Sequence, residues 1–410
     1  MNVLEARTKE FPQLQEMAFL DAACVSFPPQ RSVDALIEFT RYCARNDEVS
    51  SSAHHIAMDS RRQKAYVEAA KLLNADVEEI ALVESTSHGL NIAATSLPLK
   101  AGDKVLTTSL EFLQVAIPWC MMRETHGIEV IEVPGRDGKF EVQDFAELVD
   151  DKVKLIVTSS VEWCNGWMID LKALGDFCKE KGIYLVVDAI QHVGVCKLDV
   201  KQIHVDMLMA GGHKWLNSPF GTGILYVRKD LIPTIKPAFY GYLNLKDPEG
   251  GWGTYFGTPA IKATNDWEFP DVAKKFEIGG TSNYLGALAL GESLALVNEI
   301  GIENIQKHVF SLTEYAMKGL KELGATLVTH EDPDHRSGIV IFRLYNTLEE
   351  EQAVLEEIHK HRVFVAMRFT NNIGGIRISC QYYNNEADLD KLFAVLKEIV
   401  SKKKPDYVKK

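Results

Sequence analysis

The sequence predicts an α/β fold with a large domain, whose mainly parallel sheet is covered by helices, and a smaller C-terminal α/β domain. Three observations carry this. Six short β-branched apolar runs recur between residues 104 and 227, with helix-spaced segments between them. The runs are apolar throughout rather than alternating, as strands buried on both faces must be. Beyond residue 283 the pattern changes to one long apolar helix, then helix, two strands and helix.

Taken in order, residues 1–30 read as an N-terminal arm. A large domain follows over 31–298. Its strands are expected at "KVLTTS" (104–109), "IEVIEV" (128–133), "KLIVTSS" (154–160), "IYLVVDAI" (183–190), "DMLMAGG" (206–212) and "GILYV" (223–227). The segment 171–182 carries its leucines and alanines at helical spacing, with lysines late and a glycine at the stop. Residues 240–280, rich in Gly, Trp, Tyr and Pro, read as a long irregular insertion. Its aromatic residues Tyr240, Tyr242, Trp252 and Tyr255 are candidates for a substrate pocket or a subunit interface. A long helix over 283–301 leads to the small domain, 299–410, with strands "GIVIFRLY" and "GGIRISC" and a closing helix over 386–400.

Composition narrows the function classes. A net charge of −12 spread over 410 residues argues against a nucleic-acid surface, which needs clustered Lys and Arg. No apolar run approaches the ~20 residues of a membrane span, and the first residues lack the pattern of a signal peptide. A cytoplasmic protein, touching neither nucleic acid nor membrane, is the expectation. The seven cysteines are odd in number and form no CxxC pair, so neither a disulfide framework nor a metal site is expected.

Chemistry is expected where polar residues close apolar strands, because ligands bind outside the carboxyl ends of such sheets. Asp188 ends the run "LVVD", with Gln191 three residues on. A carboxylate there is costly to desolvate unless it meets a cation or donors, or it caps a helix. Lys214 and His213 follow paired glycines at the end of "DMLMAGG". A buried lysine loses part of its basicity and becomes a nucleophile or base, whereas one that snorkels to the surface does neither. "VESTSHGLN" (83–91) places Thr86 and Ser87 at a strand-to-helix turn, either a phosphate site or an ordinary cap. One ligand meets all three: a cofactor with a phosphate, a protonated ring nitrogen and an aldehyde. Pyridoxal 5′-phosphate is that ligand.

The chain resembles the class V aminotransferase family of fold-type I pyridoxal-phosphate enzymes, which includes cysteine desulfurases, selenocysteine lyases and isopenicillin N epimerase-like proteins. The resemblance runs in order through "FLDAACVSFPP", "ESTSHGLN", "LEFLQVAIPW", "DAIQ", "GGHKW", "FEIGGTSN" and "GIRISCQYYNNEADLD". It implies that Lys214 bonds the cofactor aldehyde and then shuttles the substrate's α-proton. Asp188 would pair with the ring nitrogen, Gln191 would contact the ring oxygen, and Phe112 would stack on the ring. Ser87, the amide of His88, His213 and, across a homodimer interface, Thr281 would hold the phosphate. Arg377 would grip the carboxylate of an amino-acid substrate, unless it forms an inter-strand salt bridge. Glu162 and Trp163 fall beside the substrate, Glu162 as a second acid or base or as a surface ion pair. His54 and His55 would rim the mouth or lie as exposed loop histidines.

Departures from the family bear on the reaction. Phe112 replaces a stacking histidine, Gly211 a serine that donates to the phosphate, and Ala22 the asparagine of the opening segment. The loop "VAMRFTNNIGG" (365–375) has no cysteine where desulfurases carry their persulfide-forming nucleophile. Cys164 would approach the cofactor face or sit as a buried inert thiol. β-Elimination from a cysteine-like substrate, a C–S or C–Se lyase reaction, is the expectation. Epimerisation and transamination share its first step. A non-enzymatic scaffold is a further alternative, against which stands the presence of Lys214, Asp188 and Arg377 together.

Overall fold

The protein is described by a computed structural model covering residues 1–259 and 261–407. A seven-stranded mixed sheet runs in the spatial order Ile80–Val83, Gly223–Val227, Met207–Gly211, Tyr184–Asp188, Val153–Ser159, Lys104–Thr108, Glu129–Val133. The last five pair in parallel, and Gly223–Val227 is antiparallel to both its neighbours. Alternate residues enter opposite cores: Val186, Met207 and Leu225 on one side, Leu185, Leu208 and Ile224 on the other. Both faces are therefore dry, which is why these runs are apolar throughout. The edge strand Ile80–Val83 is stitched to the end of the insertion by Glu277, which accepts from the Leu82 amide at 2.8 Å and from Arg62 and Tyr66 at 2.6 Å each.

Helix Leu171–Lys181 starts on the Asp170 side chain and stops at Gly182, whose φ of 65° lies in the left-handed region open to glycine. Helices Tyr284–Ile300 and Ile302–Glu322 meet at Gly301 with a 79° bend. Among the described residues, no single helix is long and apolar enough to cross a membrane.

The second sheet is antiparallel, in the order Ala366–Thr370, Ile373–Ser379, Ile339–Arg343, Thr326–Leu327. Its first strand was not expected. Residues 365–375 read as a loop in sequence but form a hairpin, turned by Asn371 and Asn372 with φ of 47° and 63°. Two adjacent positive-φ residues make the two-residue turn that matches strand twist. The N-terminal segment also pairs: Ala18–Phe19 lies parallel to Val363–Phe364, and Asp21 bridges to Ser379. Within 240–280 short helical turns break the irregular chain at Tyr242–Asn244, Gly251–Phe256 and Ala273–Phe276.

Candidate active site

Parallel pairing of Tyr184–Asp188 with Met207–Gly211 brings Asp188 and the Lys214 loop to the same end of the sheet. The N-terminus of helix Thr86–Ser96 joins them there, because the Gly211 amide donates to Thr86 Oγ at 2.8 Å. The N-terminal segment closes the back of the loop, with the Ser26 amide donating to the His213 carbonyl at 2.8 Å. A cavity of about 360 Å³ opens at this junction. Ser87, Phe112, Trp163, Asp188, Gln191, His213, Lys214 and Arg377, all named from sequence, line it together.

The Lys214 amine makes no hydrogen bond among the described residues and lies 5.9 Å from the centroid of the Phe112 ring. Burial lowers its pKa to about 8, helped by the charge of Arg377 and opposed by Asp188, Cys24 and Asp21. Asp188 is buried, and one of its oxygens accepts from the Ile190 amide at 2.9 Å. Burial raises its pKa to about 6, against the Ile190 amide and the Lys214 charge. Desolvation thus pushes both groups toward neutrality, which leaves each in want of a partner. At the helix start, Ser85 caps by accepting from the His88 amide at 3.1 Å, and the amides of Thr86 and Ser87 have no acceptor among the described residues.

These three wants fit pyridoxal phosphate: a carboxylate for the ring nitrogen, an amine for the aldehyde, and helix-start donors for the phosphate. The volume also suits a small-molecule site, typically about 300–1,000 Å³. His213 is stacked on Phe220 at 5.1 Å, and its pKa is lowered to about 4 by burial and by Lys214, so its ring is neutral. Gly211 has a physical reason: a Cβ there would sit 3.2 Å from both Thr86 Oγ and the His213 ring. Gln191 lines the cavity with its amide already held, donating to Ala23 O at 3.1 Å and accepting from Trp215 at 2.7 Å. Phe112 meets Trp163 edge to face at 5.1 Å.

The expectations for His88, Glu162, His54 and His55 need correction. The His88 amide is consumed by the Ser85 cap, its ring accepts from the Glu84 amide at 3.2 Å, and neither lines the cavity. Glu162 is no surface ion pair, nor does it face the cavity. It lies fully buried behind the wall, accepting from Thr108 Oγ at 2.6 Å beside Glu111. Cys164 is the buried thiol that one of its two readings expected, and burial raises its pKa to about 12. Thr281 is exposed, outside its own chain's cavity. His54 and His55 sit on helix Ser51–Ser60, the latter against Tyr284, and do not rim the mouth. The aromatic residues of the insertion line a separate cavity of about 750 Å³.

Sequence reasoning did not name Arg368 or Cys24 as lining the cavity, nor Asp21 as the partner of Arg377. Arg377, only 1% exposed, pairs with Asp21 at 3.1 Å and donates to Trp163 O at 3.3 Å. Arg368 and Cys24 both line the cavity and meet at 3.6 Å. Period-two alternation from Arg368 to Thr370 was the available signal for the hairpin. Nothing in sequence marked Cys24 as facing the cavity or Asp21 as the partner of Arg377.

Fold and cavity together define a pyridoxal-phosphate enzyme. Residues 18–392 match the family described as Aminotransferase class-V, and the chain belongs to this family. It is 28% identical over 415 residues to a probable cysteine desulfurase of Pyrococcus abyssi, covering 98% of each chain. Against a cysteine desulfurase of Yersinia pseudotuberculosis it is 28% identical over 418 residues, covering 97% of this chain and 98% of the other. Among solved structures, the apo cysteine desulfurase from Thermococcus onnurineus superposes with a TM-score of 0.84 at 25% identity, covering 98% and 99%. The complex of the cystine C–S lyase C-DES with its product cysteine persulfide gives 0.84 at 21% identity, covering 94% and 99%, a likeness of fold.

Proposed function

We propose that the protein is a C–S β-lyase that acts on a cysteine-like amino acid without a persulfide on the hairpin loop. The observation that carries this reading is the hairpin itself. Where the desulfurase pattern calls for a cysteine on a loop, this chain has two asparagines in a tight turn, and Asn371 is tied to the Ser109 carbonyl at 2.6 Å. No thiol can swing from it over the substrate. Sulfur then leaves as a thiol or sulfide, the carbon skeleton ends as pyruvate and the amino group as ammonia.

When bound, pyridoxal phosphate supplies an aldehyde that bonds amines reversibly and a ring that draws electrons from the adjoining carbon. The chain's residues do the rest. Lys214, with a lowered pKa, is neutral often enough near neutral pH to hold the aldehyde and, when freed, to take the α-proton. Asp188 would hold the ring nitrogen protonated, and Ser87, His213 and the amides of Thr86 and Ser87 at the helix start would hold the phosphate. Phe112 and Trp163 exclude water from one side. Arg377 takes the α-carboxylate. We also infer a homodimer in which Thr281 serves the partner's cavity. The seven unpaired cysteines support a reducing, cytoplasmic setting.

The test is pyruvate and ammonia release from cysteine, cystine and S-substituted cysteines by the purified holoenzyme. Stoichiometric pyruvate is expected. Exchange of the α-proton with solvent deuterium and no pyruvate would overturn the lyase in favour of an epimerase.

A further inference from the structure

The hairpin sets two guanidinium groups on one wall. Ala366 lies opposite Arg377 in the antiparallel pair, so these side chains share a face, and Arg368, two residues on, shares it too. Opposite Arg368 stands Gly375, which leaves its neighbourhood open. The two arginines differ in what they touch. Arg377 is sealed against Asp21 and the Trp163 carbonyl. Arg368 is half-buried and donates to the carbonyl of its own neighbour Met367 at 2.9 Å and to Cys24 Sγ at 3.6 Å. No carboxylate among the described residues forms an ion pair with it. Asp188, which also lines the cavity, stands at the end of the large sheet beside Lys214 and not on the hairpin.

A guanidinium without a counter-ion in a substrate cavity is a receptor for an anion. We propose that Arg368 binds a second negative charge on the substrate, so that the preferred substrates are cysteine conjugates whose sulfur substituent ends in a carboxylate or sulfonate. This deepens, and rests on, the lyase reading. The α-carboxylate goes to Arg377 and the distal anion to Arg368. The reaction balances without an added oxidant or reductant. The C–S bond breaks with its electron pair going to sulfur, the α-proton goes to Lys214, and water completes the conversion to thiol, pyruvate and ammonia.

The experiment compares S-carboxymethylcysteine with its neutral amide, S-carbamoylmethylcysteine, by kcat/KM for pyruvate release from the holoenzyme. A charge-assisted hydrogen bond of ordinary strength predicts a preference of roughly 10- to 100-fold for the acid. Arg368→Met is expected to bring that ratio close to one, and Arg368→Lys to keep part of it. The unreactive analogues 3-(carboxymethylthio)propionate and its carbamoyl counterpart, titrated by calorimetry, should show the same preference and the same loss. Equal rates for acid and amide in the wild type would overturn the proposal and leave the lyase standing. If neither compound yields pyruvate, and cysteine and cystine yield none either, the lyase reading fails; whether or not it does, calorimetry decides the role of Arg368 by itself, and equal binding of the two analogues overturns it.

Discussion

The two walls of the cavity are built in opposite ways. The wall at the end of the large sheet presents Asp188 and Lys214, both pushed toward neutrality by burial and both short of partners. The wall made by the hairpin and the N-terminal segment presents two guanidinium groups, with Asp21 paired to one of them. The difference teaches a division of labour. Groups held away from their ordinary charge state can exchange protons and form bonds, whereas groups held firmly charged can only bind.

That division predicts that lesions in the first wall lower kcat and lesions in the second raise KM. The largest effect falls on Lys214. Lys214→Ala is expected to cost roughly 10³-fold or more in kcat, the scale of a lost positioned acid–base. The visible absorption of covalently held cofactor should vanish with it. If the variant kept both, the amine would not be the reactive group and the comparison of walls would collapse.

Asp188→Asn comes next, with kcat expected to fall by roughly 10²- to 10³-fold, as when a preorganised charge is removed from an active site. The apoprotein supplies a second readout of opposite sign. The Asp188 pKa is raised by folding from the ordinary value to about 6, so the folded state favours the protonated form. Stability from this group is whole at low pH and is lost as pH rises toward 6. The Asn apoprotein should therefore match the wild type near pH 4 and be more stable by about 1–3 kcal/mol above pH 6. Thermal melts across that window check it. In the binding wall, Arg377→Gln is expected to lower kcat/KM by roughly 10- to 100-fold, chiefly through KM.

Much of the first wall was legible in the sequence, because a polar residue that ends a wholly apolar strand is a local signal. Asp188 and Lys214 each announced themselves this way, and the strand Gly223–Val227 was found to the residue. The second wall was only half legible. Arg377 stood out through its resemblance to the family, but Arg368 depended on a strand pairing hidden in a stretch that read as loop. Cys24 meets Arg368, and Asp21 meets Arg377, each more than three hundred positions away, and no local pattern encodes those contacts. The misplacement of Glu162 has a related cause. Its position in the chain put it beside the cavity, while its side chain turned inward to Thr108.

Glu162 sharpens the contrast, since it too is a desolvated acid but has no cavity to act on. Glu111 accepts from the Ser159 amide at 2.7 Å and hydroxyl at 2.5 Å, and so is well solvated by donors. Glu162 has only the Thr108 hydroxyl, and its second oxygen is buried without a partner. It is therefore the member of the pair held protonated, its pKa pushed well above the usual range first by burial and then by Glu111. Glu162→Gln, the neutral isostere, should leave stability within about 1 kcal/mol of wild type at acid pH. As pH rises above the ordinary carboxyl value the wild type loses ground to the variant, because only its unfolded chain can ionise freely. Melts at two pH values would show the difference widening, and a constant difference would mean that Glu162 is ionised in the fold.

The smallest effect is expected at Cys24, which sits on the binding wall although a thiol could belong to either. If it only lines the wall beside Arg368, Cys24→Ser should change the rate of pyruvate release by no more than about twofold, as for a substitution that breaks no strong contact. If instead it received the substrate's sulfur, the electron pair would stay on the β-carbon, a proton would follow, and the product would be alanine. Alanine formation with sulfur left on Cys24, both abolished by Cys24→Ser, would transfer that residue to the reactive wall. Pyruvate from both proteins would keep the two walls as distinct as their chemistry makes them.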